Sequence, residues 1–534
     1  MSKIMFFGLK NWYIHRLVEN VIAKHCELMD HDVTLVSYTK MFGGDDLSTG
    51  SRTEQVHKHI ASKTGEHVNA MFQFKKVLRV EDFFDQQDLN NAENLIGNAK
   101  VKELKTLDYK GIKVGKNCRI STVRQSHCTD ESDEKYEKFF VENVCTSIYV
   151  VDAFERLLVR EKPDVVFVMN GIMFMERTLI DMCKKLGIRV ISYERAARPG
   201  YWYITANEPI NDFLFSNRFD IDKPLTDVER KEIEDYLTDR RTSKNTTQKF
   251  QDNDTDNLEK TKASINYEAI KDKTIVSLFT NVMWDTAAVD RDTIFNDVLD
   301  WCVSTIDWAK DQPDVELFVR LHPADSRYWN VKGAKQLGNE IKDYYSYAKK
   351  VSEDKDSVSI KTGYELPLNV HLIESNEKIN SYCLAELSNV CSTYTSQIGG
   401  EIAAMGKPLV IAGDAFYGKQ GIGLMPDSQA EYFYELSNAK NLREQFVADK
   451  KEEALRFEHF LYFKMHYPLT SVVEDCTKGM GVVTQLKFLK DIGNAQRVVD
   501  FDYIKNDKEL NTIMNYCFEG IKDEFDVQEM EVKP

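Results

Sequence analysis

Short, nearly uninterrupted apolar runs alternate with amphipathic stretches along most of this chain. Residues 3–9 (KIMFFGL) and 33–38 (VTLVSY) predict strands, and between them Leu17, Val18, Val21 and Ile22 recur on one helical face. The run 165–169 (VVFVM) predicts another strand, followed by a turn at Asn170-Gly171, a helix ending at Gly187 and a strand at 188–193 (IRVISY). Apolar runs without polar alternation suit strands covered on both faces, as in a parallel sheet. Residues 40–75 read as irregular, and 91–108 and 139–162 as helices.

The pattern breaks over 221–268, where the polar run 242–257 (TSKNTTQKFQDNDTDN) cannot bury much; this stretch is expected to be a linker or surface insertion. Alternation then resumes, with strands expected at 274–279, 314–321, 369–373, 388–392 and 409–412. Helices are expected at 290–309, 337–352, 377–386 and 398–405, in patches from 430 to 463, and over 471–488. The domains predicted are 1–220, an acceptor-side Rossmann-like unit, and 269–465, a nucleotide-sugar-binding one. Residues 466–534 form a helical tail expected to cross back over the first domain.

The chain has 534 residues, 42% of them hydrophobic, enough for two or three domains. A net charge of -16 argues against a nucleic-acid partner, while leaving room for one local basic cleft. The ten cysteines form no C-x-x-C pair, as expected of reduced thiols. The first residues lack the pattern of a signal peptide, and no run of about 18 apolar residues occurs. The expectation is a cytoplasmic protein that can associate peripherally with the inner face of a membrane.

Three segments carry candidate chemistry. In 315–327 (VELFVRLHPADSR) a strand delivers Arg320 and His322 to its end, where a guanidinium and an imidazole suit a phosphate; Arg327 follows. In 390–413, Ser392, Thr393, Ser396 and Gln397 precede a helix holding Glu401, so hydroxyls and amides suit phosphate and the carboxylate suits ribose. At 278–285 (LFTNVMWD), Thr280 and Asn281 leave a strand. These are the expected donor-binding residues, together with Lys419 in a glycine-rich loop.

In the first domain, Asn11, Asn170, Arg195 and Arg198 stand near strand ends and, with Trp202 as a stacking surface for sugar, are the expected acceptor contacts. Glu194 is the expected general base and His15 its alternative. Each residue also has a plainer role: cap, ion pair or packing. No H-E-x-x-H, EF-hand loop or D-x-D at a sheet edge appears, so neither a metal nor another cofactor is expected. The absence of G-x-S-x-G argues against a serine hydrolase.

Segments 278–287, 320–327 and 392–401, with Gly406-Lys407-Pro408, resemble the bacterial capsule polysaccharide biosynthesis family. More distantly the chain is similar to CDP-glycerol glycerophosphotransferases and other transferases with two Rossmann domains. The resemblance implies a GT-B-like α/β fold, two facing Rossmann-type domains with a C-terminal helical segment. It further implies a glycosyltransferase moving sugar from a nucleotide-sugar to a glycan or other hydroxyl acceptor, with surface polysaccharide the expected product. Phosphate contacts from His322, Ser392, Thr393 and Ser396, and an orienting role for Glu401, come from that resemblance. The alternatives are a polyol-phosphate transferase with a CDP-activated donor and a noncatalytic carbohydrate-binding protein.

Overall fold

The computed structural model describes residues 1–8, 13–37, 68–214, 223–242, 244, 258–325, 335–354, 357–475, 482–494 and 496–518. The first domain is built on β1 (Lys3–Gly8), β2 (Asp32–Ser37), β3 (Val77–Arg79), β4 (Val165–Met169), β5 (Arg189–Arg195) and β6 (Tyr201–Ala206). Their spatial order is β3-β2-β1-β4-β5-β6, parallel except for β6, which runs antiparallel to β5. All five residues of β4 are buried, which is why its sequence reads as an unbroken apolar run. Phe6 and Phe167 stack across β1 and β4 with centroids 4.5 Å apart.

The second domain opens with β7 (Thr274–Phe279) and β8 (Val315–Arg320), then a hairpin of β9 (Ser346–Asp354) and β10 (Ser357–Tyr364). It continues with β11 (Val370–Ile373), β12 (Val390–Thr393) and β13 (Leu409–Ile411). The order β11-β8-β7-β12-β13 is entirely parallel. In both sheets the chain reverses its direction of growth beside the first strand, between β1 and β4 and between β7 and β12. A crevice opens at such a point beyond the carboxyl ends of the strands. The molecule is thus GT-B-like α/β.

The long helix Ala439–His459 and the wide turn Phe460–Lys464 lead back to β14 (Tyr467–Pro468), which pairs with β6 of the first sheet. Two hairpins follow, β15 (Val472–Asp475) with β16 (Val482–Leu486) and β17 (Leu489–Gly493) with β18 (Gln496–Val499). Helices Phe501–Asn506 and Lys508–Phe518 then pack on the first domain, burying Ile504, Leu510, Ile513 and Cys517.

Several expected elements differ. Within 471–488, expected to be a helix, Val472–Asp475 and Val482–Leu486 are strands, because paired valines favour extended backbone and Gly479 and Gly481 in the sequence interrupt any helical period; residues 476–481 lie outside the described residues. The helix expected to reach 352 stops at Tyr344 and gives way to β9. The helix expected from 290 starts at Val298, where Asp297 accepts from the Asp300 N–H as a cap. Within 221–268, Asp227–Arg241 is a helix with a Thr226/Glu229 capping box, and it buries Ile233, Tyr236 and Leu237.

Beneath the second sheet the Trp301 indole N–H donates to the Tyr432 hydroxyl at 2.7 Å, and that hydroxyl pairs with Ser392 Oγ at 2.9 Å. All three residues are fully buried. Tyr432→Phe therefore strands an indole donor and a hydroxyl, and is expected to lower unfolding free energy by about 1–3 kcal/mol in urea titration. An unchanged midpoint would show that this network adds nothing to stability.

Candidate active site between the two domains

The carboxyl ends of both parallel sheets open onto one cleft of about 640 Å³. His15, Asn170, Glu194 and Arg195 line its first-domain wall. Thr280, Asn281, His322, Ser396 and Gln397 line the opposite wall. The switch-point topology assembles these walls: Asn170 follows β4, Glu194 is the penultimate residue of β5, and His15 sits on the helix Tyr13–Leu28 after β1.

Three donors hold the Glu194 carboxylate. His15 Nε2 lies 2.9 Å from Oε1, the Arg195 main-chain N–H donates to Oε1 at 2.7 Å, and Asn170 Nδ2 donates to Oε2 at 2.7 Å. Burial by itself pushes this carboxyl up, but His15, Asn170 and the Arg195 N–H outweigh burial and hold it below its ordinary value. The Glu194 side chain remains 23% exposed and that of His15 only 6%. The carboxylate thus faces the cleft, and the imidazole, edge-on to Trp202 at 5.6 Å, backs it.

On the second-domain wall, Thr280 Oγ1 donates to the Arg320 carbonyl at 3.3 Å and accepts from the His322 N–H at 3.0 Å. His322 Nδ1 accepts from the Ala324 N–H at 3.0 Å, so a neutral imidazole carries its proton on Nε2. Asn281 Oδ1 accepts from the Thr395 N–H at 3.1 Å, joining the loops after β7 and β12 at the switch point. Gln397 Nε2 donates to the Tyr462 hydroxyl at 2.8 Å.

Other expected contacts are turned elsewhere. Ser392 and Thr393 are still inside β12, so their hydroxyls point into the two cores, to Tyr432 and to Tyr417. Thr395, two residues on, takes the place at the cleft. The Arg320 guanidinium is 1% exposed and donates to the carbonyls of Glu374, Glu377 and Ile379, which pins the β11 exit instead of meeting solvent. Burial draws its pKa down to about 10.

Glu401 is 2% exposed, and both its oxygens are occupied. Arg240 Nη2 lies 2.7 Å from Oε1, the Tyr462 hydroxyl donates to Oε1 at 2.8 Å, and the Tyr382 hydroxyl donates to Oε2. A ribose hydroxyl would have to displace a tyrosine. Lys419, 45% exposed, pairs with Asp414 at 3.4 Å and does not line the cleft. Arg198 donates to the Tyr462 carbonyl at 2.9 Å and stacks on Tyr201 and Phe463, tying the domains together. Trp202 is buried in the first-domain core, and its neighbour Tyr203 reaches the cleft, as alternation along β6 requires. Asn11 and Arg327 lie outside the described residues.

Arg124, Arg240 and Tyr382 also line the cleft and were missed in the sequence. Each sits in an ordinary amphipathic helical context without a local motif. Among the described residues, no cluster of three or more His, Cys, Asp or Glu side chains is arranged to hold a metal. No described helix is long and apolar enough to cross a membrane.

No family model matches the chain, and no curated protein does. Solved structures similar to it include a UDP-GlcNAc 2-epimerase from Neisseria meningitidis bound to UDP-GlcNAc, 13% identical, with a TM-score of 0.24 over 87% of this chain and 99% of that one. The beta Kdo 2,7 transferase of Thermosulfurimonas dismutans KpsC is 13% identical, with a TM-score of 0.31 over 68% and 89%. The spinosyn rhamnosyltransferase SpnG, complexed with spinosyn aglycone, is 10% identical, with a TM-score of 0.26 over 86% and 97%. At these scores the likenesses carry no functional argument, and the chain's own cleft must supply it.

Proposed function

We propose that the protein is a glycosyltransferase that moves a sugar from a nucleotide-sugar to a hydroxyl acceptor. The observation that carries this reading is the single cleft between two switch points, with an ionised carboxylate on one wall and phosphate-compatible donors on the other. The donor's phosphates are assigned to Thr280, Asn281, His322, Ser396 and Gln397. The acceptor lies against Asn170, Glu194 and Arg195. The sequence resemblance supports surface polysaccharide as the product; a peripheral place at the inner face of the membrane is compatible with a chain whose described helices include none able to span it.

In the reaction the acceptor oxygen attacks the anomeric carbon, and the bond from that carbon to the phosphate oxygen breaks. Glu194 takes the acceptor proton, with His15 and Asn170 holding its carboxylate in place. His322 Nε2–H donates to the departing phosphate oxygen as its charge grows. No metal is assigned a step.

The test is thermal shift and turnover with UDP-, CMP-, GDP- and dTDP-sugars and CDP-glycerol, with and without EDTA. A nucleotide-sugar is expected to stabilise the protein and be consumed, with EDTA changing neither. His322→Ala is expected to weaken donor binding by about 1.5–3 kcal/mol, roughly ten- to a hundredfold in Kd. Selective binding and turnover of CDP-glycerol would move the chemistry to phosphorus. Glycan binding with no nucleotide response would leave a binding protein.

A further inference from the structure

Most charged side chains lining the cleft already have a counterpart. Glu194 is held by His15, Glu401 by Arg240, and the Arg320 guanidinium caps main-chain carbonyls. Arg124 is different. It stands half-buried in the last turn of the helix Val114–Ser126 and lines the cleft. Among the described residues its guanidinium makes neither an ion pair nor a hydrogen bond. An arginine at a helix end often binds that helix's own carbonyls; Arg124 binds none among the described residues.

What Arg124 does have is a platform from the other domain. It lies over the Trp284 ring at 5.8 Å. Trp284 is itself fixed, since its indole N–H donates to the Lys335 carbonyl at 3.3 Å and its ring meets His127 edge-on at 4.4 Å. The Lys335 N–H in turn donates to the His127 carbonyl at 3.3 Å, closing the seam between the domains. Asp285 is the remaining carboxylate lining the cleft, and it caps the Ala287 N–H at 3.2 Å without pairing to Arg124. A guanidinium held over an aromatic ring, with donors unused among the described residues, in a chain of net charge -16 is suited to an anion.

We propose that Arg124, lying over Trp284 across the domain seam, seats a carboxylate or phosphate group carried by the acceptor. This rests on the reading above, in which the donor's phosphates occupy the opposite wall and the first-domain wall belongs to the acceptor. The substrate class is therefore an acidic or phosphorylated saccharide, and a neutral one lacks the anchoring group.

The full chain is titrated by ligand-observed NMR with glucuronate, glucose 6-phosphate and glucose, and separately with UDP. At least one charged probe is expected to bind tenfold or more tightly than glucose, and the preferred one identifies carboxylate or phosphate. Arg124→Gln is expected to weaken that probe about ten- to a hundredfold while leaving UDP binding unchanged; Arg124→Lys keeps part of the preference. Equal binding of charged and neutral probes, or a preference that survives in Arg124→Gln, overturns the proposal. UDP binding without any charged-probe preference defeats this seat alone. Charged-probe binding lost in Arg124→Gln, with no response to UDP or to any of the UDP-, CMP-, GDP- and dTDP-sugars, defeats the donor reading and leaves the anion seat.

Discussion

Glu194→Gln is expected to reduce kcat by about 10²–10⁴-fold while leaving donor affinity within about twofold. Glutamine keeps the shape of the side chain but cannot take the acceptor proton. It also brings an amide N–H toward groups that now donate to the carboxylate: His15 Nε2, the Arg195 N–H or Asn170 Nδ2. That mismatch adds a local stability cost of about 1–3 kcal/mol, so folding is checked by circular dichroism alongside initial rates and donor Kd. Because its neighbours hold this carboxyl below its ordinary 4.5, Glu194 is ionised throughout the neutral range. The stability it contributes is present above the unfolded value and is lost as pH falls through the folded one. The acidic limb of the rate profile is accordingly expected below 4.5. Wild-type kcat in the folded variant would remove Glu194 from the mechanism.

Arg240→Leu is expected to destabilise the fold by about 3–5 kcal/mol, the range for removing one partner of a buried ion pair. Arg240 is the cation of a pocket holding two buried carboxyls, Glu401 and Glu458. Burial pushes Glu458 well above its ordinary 4.5, the Glu401 charge pushes it further, and Arg240 partly offsets both. A raised acid is protonated in the folded chain and ionised in the unfolded chain. Its stabilisation is therefore complete below 4.5 and lost as pH rises toward the folded value. Without Arg240 the folded value rises further and the loss extends to higher pH, so the gap between variant and wild type should widen once pH passes the wild-type folded value, as read by urea titrations across pH. A gap that stays constant with pH would show that Arg240 does not govern these carboxyls.

Both predictions concern residues whose partners are remote in the chain. Glu194 stands 179 positions from His15, and Arg240 stands 161 positions from Glu401. Glu194 was nevertheless recognisable because a polar residue closing a buried apolar run must emerge near a sheet edge. Arg240 was not, because a basic residue near the end of a charged helix has the same appearance whether it is solvated or buried.

The sequence by itself determined the alternating α/β layout, the strands β1, β4, β5, β7, β8 and β12, and the strand exits that hold Thr280, Asn281, His322 and Glu194. Strands covered on both faces must be continuously apolar, and the polar residues ending them must then stand at the sheet edge. Only the tertiary structure decided which way each exit side chain points. One further residue of strand keeps Ser392 and Thr393 in the cores and hands the cleft to Thr395 and Ser396. It also decided that β15 pairs with β16 and that β14 joins the first sheet. Short valine-rich runs satisfy helix and strand periods equally well locally, and pairing beyond the run, here of Val472–Asp475 with Val482–Leu486, chooses between them. The same dependence on distant contacts set Arg124 on Trp284, since a guanidinium finds its aromatic platform only when two domains meet.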